Sequence, residues 1–546
     1  MKLIKSPIFA ALALAALSAA MILPGLGDRY LWDDEAETAL LARNVLRYGL
    51  PFAYDGRNII SQESGVDYGP DNLWKQTPWL PIYIAAASFK TLGISTWTAR
   101  FPFALLGIFC VPSLFLLARR VFRDRTMVVL AVLGLLACIP FLVHARQCRY
   151  YSTVLFASIW TLYFLDSLHR GERRAIPGLV VALTLLFHAN YLHFLAGVAG
   201  LVAATLVIRP GKRALVHLAV VLAATLILNI FWVFQYGLMD KGTSAMSSST
   251  PSALFLRMLS CLIKVDMYLL PSPLLAAFLV LMFTRRNARF LHPSETRLAL
   301  FLLVMILTYV AMISAPSFLH FRYLLGMLPA IILLQALVLG FILRKSRMVG
   351  VVVISLTLLT DLFSAWSPYC IGSLSTLERK VRYPLFNYYW EITHPYQGPI
   401  ETIVRFLKVA GRPGDRLFIT YGDLPFRFYT NLEVRGGLSG QRLDDWPMPE
   451  WIMIRPGFRP LPRSRAAIDD YLRVSHYLHK QVPWSQYRRI ELPCVDTLWE
   501  NIPEPEAHIF IPPRDGPVLT IYQRIGGAPI PSFHLKKRVD RGRILP

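Results

Sequence analysis

LWDDEAETALLARNVLRYGLP, residues 31–51, follows directly on the first apolar segment of the chain. It opens with four carboxylates, Asp33, Asp34, Glu35 and Glu37. Ala, Leu and Arg are strong helix formers, and Gly49 followed by Pro51 stops a helix cleanly, so the stretch predicts a helix. Two readings of its acidic head stand side by side. Asp34, with Glu37 three residues on, has the spacing of a capping box, and carboxylates suit the positive end of a helix dipole. A carboxylate cluster at the mouth of a membrane span is also where a catalytic base would sit. The two readings are compatible, because a capping Asp is held rigidly.

The surrounding composition sets the class. Charged residues make up 17% of the chain and hydrophobic residues 55%, where soluble domains carry about 25% charged residues. The mean hydropathy is +0.45. This is the composition of a polytopic membrane protein. A net charge of +23 would suggest a nucleic-acid partner for a soluble chain. Here Lys and Arg gather in short loops between apolar runs, as the positive-inside rule requires, and no nucleic-acid partner is expected. The cysteines at 110, 138, 148, 261, 370 and 494 have no metal-site spacing. No disulfide is expected between Cys370 and Cys494 in the polar C-terminal part.

Charge at the ends of each apolar run gives the topology. The uncharged run 6–27 resembles a signal peptide at Ser18-Ala19-Ala20, but it is long enough to span a bilayer and reads as a retained first span. Residues 28–98 then form a long first outer loop. Its apolar run 79–94 is broken by Pro81 and Lys90. Counted as a span, that run would place Arg119, Arg120, Arg123 and Arg125 outside, so it reads as a second surface helix. Later spans return to inner clusters at Arg170/Arg173/Arg174, Arg209/Lys212/Arg213, Arg285/Arg286/Arg289 and Arg344/Lys345/Arg347. Residues 237–268 read as a polar outer loop rich in Ser and Thr. The fold class expected is an α-helical polytopic membrane protein with about eleven transmembrane helices over 1–365, its N-terminus inside. From 366 the chain turns polar. A helix over 400–410, a turn at Arg412-Pro413-Gly414-Asp415 and strands near 417–421 and 518–522 predict a soluble α/β domain over 366–546, on the outer side. The basic tail Lys536-Lys537-Arg538 suits lipid headgroups.

Against this topology a few cations stand out. Arg146, Arg149 and Arg322 sit at outer ends of spans, and Lys75, Arg257 and Lys264 lie in longer outer loops. Guanidinium groups bind phosphate bidentately, so cations facing a carboxylate cluster suggest a site for an anionic lipid. The plainer alternative is contact with ordinary phospholipid headgroups or with the acidic loop. Tyr150, Tyr151, Tyr323, Trp32 and Trp74 lie at the same level, where an interfacial aromatic belt explains single residues. His144, His188, His193 and His320 also sit at outer span ends, but their spacing is not a metal-ligand motif.

These segments resemble the GT-C glycosyltransferases that use polyprenyl-phosphate sugars, in particular protein O-mannosyltransferase-like enzymes of family 39 and aminoarabinose transferases acting on lipid A. The resemblance lies in Asp34-Glu35 and the helix to Gly49-Leu50-Pro51. It continues in Lys75-Gln76-Thr77-Pro78, Thr98-Ala99-Arg100-Phe101-Pro102, Ala145-Arg146-Gln147-Cys148-Arg149-Tyr150-Tyr151 and Phe321-Arg322-Tyr323-Leu324-Leu325. It implies a GT-C membrane fold with surface helices in the first outer loop, a polyprenyl-phosphate sugar donor and an inverting transfer to a lipid, glycan or protein acceptor. It maps Asp34 onto the essential first-loop acid, with Asp33 and Glu35 as neighbouring candidates. It maps Lys75 onto the lysine near the lipid phosphate, although Gln76 and Thr77 depart from the usual Lys-Pro-Pro.

An inverting transfer needs one carboxylate base and stabilisation of the departing phosphate. The candidate catalytic residues are Asp34, Asp33 and Glu35. Lys75, Arg146, Arg149, Arg322 and Tyr323 are the candidates for the donor phosphate. The superfamily admits a divalent metal, and the sequence shows no ligands for one. Membrane lipids are expected around the spans. The expected location is a bacterial inner membrane, with the site and the C-terminal domain on the periplasmic side. A lipid transporter or flippase is the competing class, and it predicts functional charges buried in mid-span. A non-catalytic scaffold is a third, in which Asp33 and Asp34 are dispensable.

Overall fold

A computed structural model describes residues 6–238, 250–283, 292–316, 320–365, 381–394, 397–456, 465–498 and 500–526. The basic cluster at 285–289, Cys370 and the tail at 536–538 lie outside the described residues.

The first part is mainly helical, with an irregular stretch over 49–79: α1 (Pro7–Ile22), α2 (Asp33–Tyr48), α3 (Leu80–Leu92), α4 (Thr96–Val121), α5 (Arg125–Leu136), α6 (Ile139–Ala145), α7 (Tyr151–His169), α8 (Ala175–Ala189), α9 (Tyr191–Ile208) and α10 (Lys212–Gln235). There follow α11 (Pro251–Tyr268), α12 (Ser272–Phe283), α13 (Pro293–Ile313), a short 3-10 segment Phe321–Met327, α14 (Leu328–Lys345) and α15 (Arg347–Leu359). Among the described residues five helices are long and apolar enough to cross a membrane, or six if α5 and α6 form one span; α1, α3, α8 and α15 are shorter apolar helices. The α5–α6 pair bends by 56°. Pro140, at the start of α6, explains the break, because it has no N–H to continue the helical ladder.

The bundle is built around α14, where every residue from Leu328 to Phe341 is buried. Close approach at two glycines lets α5 and α14 meet. A Cβ on Gly134 would lie 3.0 Å from Gln335 Oε1, and one on Gly340 would lie 2.8 Å from Met127 Cγ. Residues 250–268 differ from the loop expected there. Thr250 caps α11 by accepting the Ala253 N–H, and Pro251 sits at the first helical position.

Helix α2 forms where the sequence places it, and Gly49 ends it in the left-handed region at φ +80°. The capping-box expectation is corrected. The N-cap is Trp32, with no side-chain cap bond. Asp34 and Glu37 are instead drawn to arginines from other elements.

The C-terminal part contains α16 (Pro384–Thr393), α17 (Pro399–Ala410), α18 (Leu424–Tyr429), α19 (Arg465–His476) and five strands: β1 (Arg416–Ile419), β2 (Glu433–Gly436), β3 (Trp451–Met453), β4 (Tyr487–Val495) and β5 (Val518–Arg524). The strands form one sheet in the order β2-β1-β3-β5-β4. β1 runs parallel to β2 and β3, while β5 runs antiparallel to β3 and β4. The apolar side of α17, including Ile403, Val404 and Leu407, packs on Leu417, Ile419 and Leu519 of the sheet. The sheet part docks against the first loop. Tyr429 Oη accepts the Leu31 N–H at 2.9 Å, and the Asn58 side chain bonds both Leu432 O and Val434 N.

Candidate active site

Asp33, Asp34 and Glu35 are consecutive on α2, so the helix turns them about 100° apart and sends them to three different places. Glu35 is fully buried. Its Oε1 accepts from Arg100 Nε at 2.7 Å and from the Cys148 N–H at 2.8 Å, and its Oε2 accepts from Arg100 Nη2 at 2.6 Å. This bidentate pair ties α2 to α4. Asp33 faces the sheet part, with Oδ2 close to Gly422. Burial pushes its carboxyl well up, and the nearby Asp423 and Asp34 carboxylates push it further.

Asp34 alone of the three lines a cavity of about 400 Å³. Its Oδ2 accepts from Arg322 Nη1 and lies 3.5 Å from Arg149 Nη2. Burial raises the Asp34 carboxyl, but the Arg322 and Arg149 guanidiniums outweigh it and hold the group below the usual carboxylate range. Arg149 also donates to Glu37 Oε1 at 2.6 Å and to Thr38 Oγ1 at 3.1 Å. Gln62 Nε2 completes Glu37 by donating to Oε2 at 2.7 Å. The guanidiniums of Arg149 and Arg322 each lie 5.8 Å from the ring of the tyrosine that follows, Tyr150 and Tyr323.

The cavity lining is mixed. Its polar residues include Asp34, Glu37, Gln62, Asp67, Gln76, Arg149 and Arg322, and its apolar residues are Leu192, Leu195, Leu238 and Pro316. Asp67 Oδ2 is saturated by Ser61 Oγ and the N–H groups of Gln62 and Glu63. Its buried Oδ1 has no hydrogen-bond partner among the described residues. Burial raises the Asp67 carboxyl to about 6.

The structure thus brings Asp34, Arg149, Arg322 and Tyr323 together. It puts the other candidates elsewhere. Arg146 donates to the backbone carbonyls of Ile22 and Pro24 at 2.6 and 2.7 Å, fixing the end of α1. Lys75 lies with its Nζ beside Gly69, while its neighbours Gln76 and Thr77 reach the cavity. Gln62 and Asp67 carry no motif, so no signal in the sequence marks them. Among the described residues no group of three or more His, Cys, Asp and Glu side chains could hold a metal ion. The Asp34 and Glu37 carboxylates of the cavity are engaged by Arg322, Arg149 and Gln62, an arrangement that does not fit a bound divalent metal.

Residues 76–236 match the family model of dolichyl-phosphate-mannose-protein mannosyltransferase. That segment carries Gln76-Thr77-Pro78 and the stretch from Ala145 to Tyr151, but neither α2 nor Arg322. No curated protein matches the sequence. Among solved structures, three similar ones are distant in sequence. ArnT from Cupriavidus metallidurans in the apo state has 14% identity and a TM-score of 0.48, over 82% of this chain and 92% of that one. The same protein bound to undecaprenyl phosphate has 15% identity and a TM-score of 0.45, over 72% of each chain. Arabinofuranosyltransferase AftD from Mycobacteria has 14% identity and a TM-score of 0.47, over 95% of this chain but only 40% of its own length. With its membrane-length apolar helices the chain is an integral membrane protein. The family segment at 76–236 is the part it shares with the protein mannosyltransferases.

Proposed function

We propose that the protein is an inverting glycosyltransferase that moves a sugar from a polyprenyl-phosphate donor to a hydroxyl of a lipid, glycan or protein acceptor. The observation that carries this reading is the meeting of Asp34 with Arg149 and Arg322 in a cavity whose lining also includes Leu192, Leu195 and Leu238. The donor named in the family description, a dolichyl-phosphate sugar, is of the same chemical class.

The donor phosphate sits against Arg149, Arg322 and Tyr323, and its prenyl chain leaves past Leu192, Leu195 and Leu238. Asp34 takes the proton of the acceptor hydroxyl. The acceptor oxygen attacks the anomeric carbon from the face opposite the phosphate. The bond between that carbon and the phosphate oxygen breaks, and its electron pair leaves with the phosphate. The guanidiniums stabilise the charge that develops there, where exclusion of water makes them most effective. Glu35 holds α2 in place through Arg100. The module 1–365 carries the donor site, and the domain 366–546 covers it on the periplasmic side of a bacterial inner membrane.

The test is sugar transfer by the purified protein with labelled polyprenyl-phosphate sugars and an envelope extract. Wild type transfers. Asp34→Asn, folded as wild type, loses kcat by about a hundredfold or more, as expected for removal of a general base. Undiminished transfer in Asp34→Asn would remove it as the base. A wild type inactive with every donor, yet carrying prenyl-phosphate across vesicles, would favour the flippase class.

A further inference from the structure

Residues 500–510 of the C-terminal part contact both α2 and the start of the 3-10 segment Phe321–Met327. Toward α2, Asn501 Nδ2 donates to Glu35 Oε2 and to Tyr30 O, both at 3.3 Å. Arg29 Nη1 and Nη2 hold the far end by donating to Ile509 O at 2.5 Å and Phe510 O at 3.0 Å. In the middle, Glu504 is 4% exposed and faces the start of the 3-10 segment. There its Oε2 accepts the Phe321 N–H at 2.7 Å. Its Oε1 lies 3.5 Å from His320 Nδ1, and Lys264 Nζ is 4.0 Å from Oε2.

Phe321 opens the 3-10 segment whose next two residues are Arg322 and Tyr323. The first N–H groups of such a segment have no partner within it and need one from outside. The N-cap residue His320 makes no side-chain cap bond. Glu504, 183 residues further along the chain, fills that role with a charge-assisted bond. The Phe321 ring is pinned as well, buried 5.9 Å from the His144 ring and 5.8 Å from that of Tyr268. Arg322 leaves this clamped turn and reaches Asp34. One strap therefore touches both the helix bearing the acid and the turn bearing the arginine.

We propose that Glu504 is a positioning residue for the donor-phosphate site: by capping the Phe321 N–H, the docked strap sets the turn that aims Arg322 at Asp34 and brings Tyr323 to the cavity. The assignment of that site to a donor phosphate rests on the function proposed above. The geometry of the strap does not. Hydrogen exchange of the amides of 321–323 in the purified full-length protein reads the geometry directly. Donor KM and kcat read its consequence.

In Glu504→Ala, exchange at 321–323 quickens and the donor KM rises by about tenfold, the scale of one lost charge-assisted hydrogen bond. Glu504→Gln keeps an oxygen for the Phe321 N–H and recovers most of both. Glu504→Asp keeps the charge but withdraws it from the N–H, and behaves like Ala. If Glu504→Ala does not fold, the comparison of Gln with Asp carries the test. Glu506→Gln, on an exposed carboxylate of the same strap that pairs with Lys264 at 2.6 Å but not with the Phe321 N–H, leaves both readouts at the wild-type value. Unchanged exchange in Glu504→Ala, or a Gln variant as damaged as Ala, overturns the proposal. A wild type that transfers no sugar defeats the glycosyltransferase reading alone, because the exchange comparison still decides what Glu504 holds.

Discussion

Three successive carboxylates on one helical turn meet three surroundings, and their chemistry diverges accordingly. Glu35 is saturated by Arg100 and the Cys148 N–H. Asp33 is buried beside another carboxylate and is driven toward its neutral form. Asp34 is held ionised by two guanidiniums. A base must be deprotonated to act, so activity is lost only as pH falls below the usual carboxylate range. Arg322→Ala removes the largest opposing charge, lets burial raise the Asp34 carboxyl, and moves the acid limb of the kcat/KM profile to higher pH. A pH–rate comparison of the two proteins checks this, and an unmoved limb would detach Arg322 from Asp34.

Helix α2 is the element on which those side chains are mounted, so its ends and anchors should be costly to disturb. Gly49 ends it at φ +80°. An L side chain there is strained, although nothing lies within 4 Å of a Cβ at that position. Gly49→Ala is therefore expected to cost about 1 kcal/mol through backbone conformation alone, read as a lowered thermal midpoint. Glu35→Gln is a harsher change. It leaves the Arg100 guanidinium buried and without its counter-charge, and removal of one partner from such a pair costs about 3–5 kcal/mol. Loss of folded protein at normal expression temperature, rather than a kinetic defect in well-folded protein, is the expected outcome. Strand β1 shows how local signals shift by a residue or two. Residues 417–421 are the apolar run, but pairing with β2 and β3 fixes the strand at Arg416–Ile419.

At the scale of the whole molecule, the sheet part and the helical part share a buried polar junction with unequal pH demands. Burial raises Glu500 to about 7, opposed by Arg455 and Arg29. Burial is the largest effect on Glu391 too, but His508 and Arg29 overcome it and hold that carboxyl at about 2. The signs are opposite. A carboxyl raised by folding contributes stability that is present below its unfolded value and lost as pH rises through about 7 for Glu500. A depressed one contributes stability that is lost as pH falls through about 2 for Glu391. Between pH 5 and 7.5 the first effect dominates, and wild-type thermal stability should fall across that window. Glu500→Gln, which is neutral at every pH, should flatten the fall; a slope equal to wild type would show that Glu500 does not titrate there.

Much of this was written locally in the chain. Apolar runs, the acidic helix with its Gly49 stop and the α17 helix at the edge of the sheet depend on neighbours within a few residues. Hydrophobic patterning and helix stops therefore reveal them. The residues that make Asp34 different from Asp33 and Glu35 are another matter. Arg322 lies 288 residues from Asp34 and Asn501 lies 466 residues from Glu35. Glu504, Gln62 and Asp67 sit in irregular segments with no periodicity to betray them. The sequence by itself determined a membrane bundle with an acid-headed helix, because burial of apolar surface and helix propensity act over short range. Only the tertiary structure decided which carboxylate faces the cavity and which cations face it back. Charges are paired through space by whichever elements the packing brings within a few ångströms, and chain order does not record that.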